Sequence, residues 1–185
     1  PLESMEFGRI AAQKARSIII QQIKEGERDA IYEKYSCKEH DIVNGVVQRI
    51  VDNTIYINLD DRTETRLKEN EQVRGEHYKV GDRIKLYVVE VKKPEKKDGK
   101  RKDGKDKKNS GGINIHVSRT HPELVKRLFE NEIEEIQNGV VEIMGISRDA
   151  GSRSKLAVRS HDPNVDPVGA CVGMAGARVN TIVDD

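Results

Sequence analysis

Four residues near the carboxyl end have a spacing that suits contact with a nucleic-acid backbone. Gly173-Met174-Ala175-Gly176 lies between two short stretches of helical pattern. Glycine has no Cβ, so this loop can approach a phosphate chain closely, and amide groups at the start of a helix favour anions. The pattern predicts a site for single-stranded RNA or DNA, with an ordinary helix–helix turn as the alternative.

Basic side chains near this loop are candidates for the same site. Arg178 follows the loop on the second predicted helix, while Arg153, Lys155 and Arg159 lie on or beside a predicted strand. Lys155 and Arg159 share one face of that strand because they are four residues apart. We predict that these cations line the groove beside the loop. A solvated sheet face is the alternative for the strand residues.

A second candidate surface lies in the middle of the chain, where aromatic and basic residues interleave. Tyr56 is suited to stack on a base. The side chains suited to contact phosphate or sugar are Arg49, Lys85, His116 and Arg119. Many nucleic-acid-binding barrels display several aromatics, and Tyr78 and Tyr87 are the other candidates here. We expect at least one of the three tyrosines to be a core residue.

The same residues offer no pattern for catalysis. There is no nucleotide-binding P-loop and no nucleophile elbow. His161-Asp162 has no further histidine at ligand spacing, and Cys37 and Cys171 are far apart. A metal site needs three or four converging ligands. We therefore expect a non-enzymatic protein without a metal or cofactor.

The elements that must position these residues begin with a helix and a set of strands. Apolar residues from Glu6 to about Lys34 recur at steps of three and four, which predicts a helix. Five β-rich segments follow, with turns at Asp52-Asn53 and Val80-Gly81-Asp82; Gly45 suggests a bulge or bend. The predicted strands are residues 42–47, 54–59, 63–67, 83–91 and 113–117. Five short strands in this length predict a small closed barrel of OB type.

A run of charge separates the last two of these strands. Residues 92–108 contain ten Lys and Arg against four Asp and Glu, while the whole chain has a net charge of +1. Pro94 to Gly112 has no apolar residue and therefore predicts a mobile loop. A solvated loop is the simpler interpretation, and a non-specific phosphate tether is the alternative.

The remaining sequence predicts a second unit in the order helix, strand, strand, helix, Gly-x-x-Gly loop, helix. Thr120 is the expected cap of its first helix, with Pro122 in the first turn. Asp166 is the expected cap of the helix before the loop. Only 35% of the residues are hydrophobic and 4% aromatic, which favours two small modules over one large core. No apolar run is long enough to span a bilayer, so we expect a cytoplasmic protein.

Several segments resemble the NusA family of bacterial transcription elongation and termination factors. The longest runs from Asp166 to Val179 and contains the Gly-x-x-Gly loop. The others are Ser118–Pro122, Arg127–Glu130, Glu132–Ile136 and Ala150–Val158. The resemblance extends from about Phe7 to the end of the sequence. It implies an α+β chain with a linker helix (residues 1–36), an S-one-type OB barrel (37–119, with its Lys-rich loop at 92–112) and a type II KH domain (120–185).

The resemblance also implies a function. It predicts an RNA-binding segment of a factor that modulates RNA polymerase pausing, termination and antitermination. The implied partners are single-stranded nascent RNA, RNA polymerase and further Nus-type factors. We expect a monomer without membrane contact. An RNA-binding accessory portion of an exonuclease and a protein-docking module stay open as alternatives, although exonucleases of the polynucleotide phosphorylase type place KH before OB, the reverse of this order.

The sequence departs from the family pattern in four ways. Most of the polymerase-binding domain and the second KH domain are missing, and the first KH domain ends before its last strand. The Lys-rich segment stands where the family has a short turn. Ala175 stands where the family often has a basic residue. That substitution removes a charge from the loop but keeps its two glycines.

Overall fold

The amino-terminal part of the chain is one long helix. The computed structural model describes residues 9–60, 63–93 and 113–184, and helix α1 is Arg9–Ser36. The helix predicted from Glu6 is confirmed over its described part, while Glu6 lies outside the described residues. Ile19 and Ile23 are more than half exposed, whereas Tyr35 near the helix end is buried in the barrel core. Among the described residues, the last turns of α1 are the part of this helix that packs on the barrel core.

The middle of the chain forms a closed five-stranded barrel in the order β1-β2-β3-β5-β4. The strands are β1 Ile42–Val51, β2 Thr54–Asp60, β3 Thr63–Leu67, β4 Arg83–Lys92 and β5 Asn114–Ser118. The Asp52-Asn53 turn between β1 and β2 has both residues at positive φ. The predicted OB-type barrel is confirmed. Residues 94–112 of the predicted Lys-rich loop lie outside the described residues.

Alternating apolar residues fill the barrel. Val43, Val47 and Ile57 are buried, and their period of two places them on the inner face. The bulge expected at Gly45 is absent there, because β1 pairs with β4 in regular register through this residue. The irregularity lies between Val47 and Arg49 instead. Gly45 points into the barrel, where a Cβ would collide with the side chain of Ile57, so this glycine is required by packing.

The end of α1 is fixed to the barrel by polar contacts. Lys34 Nζ and Tyr35 Oη each donate to Asp60 Oδ2 at 2.6 Å. These two hydrogen bonds lower the pKa of the Asp60 carboxyl. Nearby, Lys93 Nζ lies 3.1 Å from Asp29 Oδ1 and 4.4 Å from the centre of the Tyr32 ring. These contacts hold the residue that follows β4 against helix α1.

The second unit follows the predicted order of elements. It contains α2 Pro122–Glu132, α3 Glu134–Gln137, β6 Val141–Asp149, β7 Arg153–Ser160, α4 Pro167–Val172, a 3₁₀ turn Met174–Gly176 and α5 Ala177–Asp184. Strands β6 and β7 form an antiparallel sheet that packs on the helices. In the described ranges no helix is both long enough and apolar enough to cross a membrane.

Two details of the first helix differ from the sequence prediction. His121, rather than Thr120, is the cap, since its ring Nδ1 accepts the Glu123 N–H at 3.2 Å. The helical stretch is also interrupted at Ile133, which has an extended backbone and is fully buried. Burial of this side chain requires the chain to turn between α2 and α3. Local residue spacing predicts neither the cap at His121 nor the interruption at Ile133, because both depend on packing between elements.

The barrel and the second unit pack against each other. The rings of Tyr87 on β4 and His121 stack with their centres 4.7 Å apart, and Tyr87 belongs to the core of the second unit. Arg127 Nε donates to the His40 carbonyl at 2.8 Å. These contacts join the two units through side chains from both.

Gly151 lies in the β6–β7 turn at this junction and gives a test of it. Its φ is +82°, and a Cβ would lie 2.5 Å from the carbonyl oxygen of Arg74 in the barrel unit. Gly151→Ala is expected to lower the free energy of unfolding by about 2 kcal/mol, because it adds a collision to backbone strain. Gly139→Ala is the matched control, since Gly139 has φ +72° and open space around it. If urea unfolding gives the same loss of unfolding free energy for both variants, the close approach of residue 151 to the Arg74 carbonyl has no effect on stability.

Candidate nucleic-acid interface

The Gly-x-x-Gly loop has the helix–loop–helix setting that its sequence predicts. Asp166 begins α4 by accepting the N–H groups of Val168 and Gly169, each at 3.1 Å. The helix ends at Gly173, whose φ of 75° and ψ of 175° favour glycine. Gly176 has a φ of 80°. Both glycines are thus needed for the path of the backbone between α4 and α5.

The two central residues of the loop face solvent. Met174 is 91% exposed, the highest value among the exposed large apolar residues of the described chain. Ala175 has the left-handed values φ 52° and ψ 25°, an uncommon conformation for a residue with a Cβ. An exposed loop held in a strained conformation is typical of a binding segment, since strain persists only where the surroundings enforce it.

Buried apolar residues hold the two helices beneath the loop. Cys171 on α4 and Ile182 on α5 are each 7% exposed and pack in one cluster with Leu124 and Phe129 of α2. Burial raises the pKa of the Cys171 thiol, which therefore stays neutral at physiological pH. Cys171 is a packing residue, and the helices on both sides of the loop share one apolar core with α2.

Arg178 is engaged within the protein rather than extended toward solvent. Its Nη1 donates to both carboxylate oxygens of Glu135, at 3.0 and 2.9 Å, and to the carbonyl of Ala170 at 2.8 Å. Its side chain is 36% exposed. The structure therefore places this predicted RNA contact at the base of the loop.

The strand cations lie on a different surface from the loop. Leu156 and Val158 of β7 pack toward the helices, while Arg153, Lys155 and Arg159 are exposed on the opposite face. The role of these three residues in RNA binding stays a prediction. The sheet separates them from the helix layer that carries Gly173–Gly176. They form an exposed basic row along β7. On the neighbouring strand β6, Glu142 lies in register with Arg159.

A row of side chains crosses the outer surface of the barrel. In register, Arg49 neighbours Tyr56, Tyr56 neighbours Arg66, and Arg66 neighbours His116. The Arg49 guanidinium carbon lies 4.2 Å from the centre of the Tyr56 ring, and its Nη2 is 3.1 Å from Glu64. Residues in register on neighbouring strands share a face. The row therefore combines one ring with basic and imidazole groups, as a base-stacking surface requires.

Arg66 was missed by the sequence prediction. It follows Tyr56 by ten residues along the chain, and only the β2–β3 pairing makes the two neighbours. Its alternation with the buried residues Thr65 and Leu67 is the sequence signal for its outward position.

Both units match known protein families. The family described as S1 RNA binding domain matches residues 36–99, and the NusA-like first KH domain matches residues 119–185. The transcription termination/antitermination protein NusA of Bacillus subtilis (strain 168) is 46% identical over 180 residues, covering 97% of this chain and 44% of that protein. This chain is a segment of a NusA-family protein.

Other relatives agree. NusA of Thermus thermophilus is 41% identical over 184 residues, covering 98% of this chain and 43% of the relative. NusA of Rickettsia prowazekii is 34% identical over 184 residues, covering 100% and 33%. The chain thus spans less than half the length of these curated relatives. The resemblance to the NusA family and the predicted fold class are confirmed.

In this NusA-family segment, Arg119 is a buried residue. Its side chain is 7% exposed, Nε donates to Glu76 Oε2 at 2.9 Å and Nη1 donates to the Lys85 carbonyl at 2.9 Å, with a second contact from Nη2 to Glu76. The contact of Arg119 with phosphate or sugar stays a prediction. Its guanidinium is used inside the protein, where it ties β4 and the residues after β5 to the loop that carries Glu76.

Arg119 and Lys85 also line a cleft of about 730 Å³ between the barrel and the end of α5. Both polar and apolar residues line it, among them Asn44, Leu59 and Tyr78. Burial and a hydrogen bond to Glu76 raise the pKa of Tyr78 to about 12. Tyr78 and the buried Tyr87 are therefore structural tyrosines, as expected for at least one of the three, and Tyr56 is the one placed on the outer row.

Proposed function

We propose that this NusA-family segment binds single-stranded RNA and belongs to a cytoplasmic factor that modulates pausing, termination and antitermination by RNA polymerase. The observation that carries this proposal is the exposed Gly-x-x-Gly loop, seated between α4 and α5 in a NusA-like first KH domain. The relatives are transcription termination/antitermination proteins, and this supports the second part of the proposal.

The loop can act by close approach of backbone to backbone. Gly173 and Gly176 carry no Cβ, and Met174 and Ala175 between them lie at the surface. Phosphate groups of a single strand can lie against the loop without steric collision, while unstacked bases turn to the side. Because Ala175 is uncharged, we infer that geometry contributes more than charge at the loop itself.

The barrel row supplies a second contact in this proposal. Tyr56 is half-buried, with the Arg49 guanidinium 4.2 Å from the centre of its ring. Arg66 is its other neighbour in register, and His116 follows Arg66 on the next strand. Stacking on an aromatic ring contributes roughly 1–3 kcal/mol per base and tolerates any sequence. We infer that the barrel strengthens binding while the KH loop orients the strand.

The predicted division into residues 1–36, 37–119 and 120–185 is part of the same proposal. Contact with RNA polymerase and further Nus-type factors, and a monomeric state, stay predictions. The exposed side of α1, with Ile19 and Ile23, belongs to the protein-docking alternative and needs no RNA.

The test is single-stranded RNA binding at several salt concentrations. Phosphate-driven binding releases counterions, so log K should fall linearly with log salt, with a slope of about −0.7 per phosphate contacted. We expect measurable binding and a slope that corresponds to several phosphates. Fluorescence anisotropy with labelled oligonucleotides checks this, with double-stranded RNA as the comparison. Absence of binding at low salt would refute the RNA function, and phosphate-dependent RNA degradation would revive the exonuclease alternative.

A further inference from the structure

Arg178 connects three helices at the base of the Gly-x-x-Gly loop. It lies in the first turn of α5, directly after the loop. Its Nη1 reaches Glu135 on α3 and the carbonyl of Ala170 in the last turns of α4. The last carbonyls of a helix have no partner within the helix, and a cation satisfies them well. One guanidinium thus holds both helices that enclose the loop.

The aliphatic part of the same side chain supports the loop from below. A Cβ built on Gly173 would lie 2.9 Å from Arg178 Cγ, 3.1 Å from its Cβ and 3.2 Å from its Cδ. The first glycine therefore packs directly on the stem of Arg178. A side chain at position 173 would occupy the space that this stem fills, so the path of the loop and the position of the Arg178 stem depend on each other.

Glu135 is the fixed end of this arrangement. Its carboxylate is about one-third exposed and takes both short contacts from Arg178. A hydrogen bond from its own backbone N–H, followed by the one from Arg178, lowers the pKa of the carboxyl. Glu135 therefore remains ionised at physiological pH and keeps the guanidinium in place.

We propose that Arg178 is a positioning residue, which with Glu135 sets the conformation of Gly173–Gly176 and makes no direct contact with phosphate. This inference rests on the proposed RNA function of the loop. It assigns Glu135, an acidic residue, a supporting role in binding a polyanion. Simple electrostatics predicts the opposite, because removing a negative charge near a polyanion strengthens binding.

The two roles predict opposite signs for Glu135→Gln. If Arg178 positions the loop, Glu135→Gln and Arg178→Ala should each weaken single-stranded RNA binding by about tenfold, the size expected for loss of a charged hydrogen bond, with the salt slope unchanged. If Arg178 instead contacts phosphate, Glu135→Gln should release it and strengthen binding, and Arg178→Ala should reduce the slope by about 0.7. The second pattern would overturn the proposal.

Glu130→Gln is the matched control. Glu130 forms a similar ion pair with Arg127 on α2, at 2.7 Å, away from the loop. The Glu130→Gln substitution removes the same charge from the chain, and the ion pair that it breaks lies within α2. We expect no weakening of RNA binding in this variant, so a loss equal to that of Glu135→Gln would contradict a specific role for the Arg178 pair.

A measurement without RNA separates this inference from the proposed function. In the full 185-residue chain, amide hydrogen exchange at residues 173–176 should speed up severalfold in Arg178→Ala and Glu135→Gln, while amides of β6 and β7 stay protected. Unchanged exchange at the loop would overturn the positioning role even if RNA still binds. Faster exchange in a chain that binds no RNA would keep the positioning role and refute the RNA function alone.

Discussion

Changing both loop glycines to aspartate is expected to weaken single-stranded RNA binding by roughly 30-fold, the effect of two surface charges worth about 1 kcal/mol each beside phosphate. Gly173 and Gly176 both have positive φ, and a side chain on Gly173 would collide with the stem of Arg178. The double variant therefore distorts the loop and adds two negative charges where phosphate is proposed to lie. Anisotropy titration at fixed salt measures the loss.

Gly139→Asp provides the control for this experiment. Gly139 also has positive φ, with open space around it, and it lies before β6 rather than in the loop. It reproduces the backbone strain and one of the added charges. Circular dichroism should show that both proteins are folded. Unchanged RNA affinity in a folded Gly173→Asp, Gly176→Asp protein would remove the loop from the binding site.

Arg119→Ala is expected to lower the free energy of unfolding by about 3 kcal/mol, because it leaves Glu76 without its buried partner. Glu76 takes contacts from Arg119 Nε and Nη2 and from the Tyr78 hydroxyl. The same substitution removes the hydrogen bond to the Lys85 carbonyl. The residues after β5 should lose their attachment to β4 and to the loop that carries Glu76, and thermal or urea unfolding measures the effect.

Arg49→Ala is the matched comparison for this stability effect. Its ion pair with Glu64 is exposed on both sides, at 56% and 38%. An exposed pair contributes about 0–1 kcal/mol, so this variant should unfold almost as the parent protein does. Arg49→Ala should weaken RNA binding more than Arg119→Ala does, because Arg49 lies on the proposed RNA-binding surface of the barrel and Arg119 does not. Similar stability losses for the two variants would show that burial of Arg119 contributes little.

The barrel illustrates how much of the fold local pattern can predict. Strand β3, Thr63–Leu67, was predicted with the bounds that it has, and the other four strands were placed to within a few residues. Alternation with a period of two and turn residues such as Asp52-Asn53 act within a few residues of each other. Those signals are local and can be read along the chain.

The cap of α2 and the break between α2 and α3 were less predictable than the strands, because they depend on contacts with residues that are distant in sequence. Thr120 satisfies the local rule for a cap, but His121 stacks on Tyr87 of the barrel, and that contact places its ring at the start of α2. Ile133 lies within a helical pattern, yet its burial interrupts the helix. In both cases packing between elements outweighed local preference.

The candidate site divides in the same way. Sequence alone determined the Gly-x-x-Gly loop, the helices around it and the family, since glycine spacing, the Asp166 cap and the Asp166–Val179 resemblance are properties of contiguous residues. For a basic side chain near the loop in sequence, such as Arg178, the sequence predicts a possible RNA contact but does not identify its partners within the fold.

Tertiary structure decided what each basic residue does. It paired Arg119 with Glu76 and Arg178 with Glu135, partners 43 residues away in each case. It placed Lys155 and Arg159 on the sheet face opposite the helices, and it brought Arg66 beside Tyr56. The physical reason is that a charge acts over a few ångströms in space, whatever the separation along the chain. Residue type sets which contacts are available, and the fold selects among them.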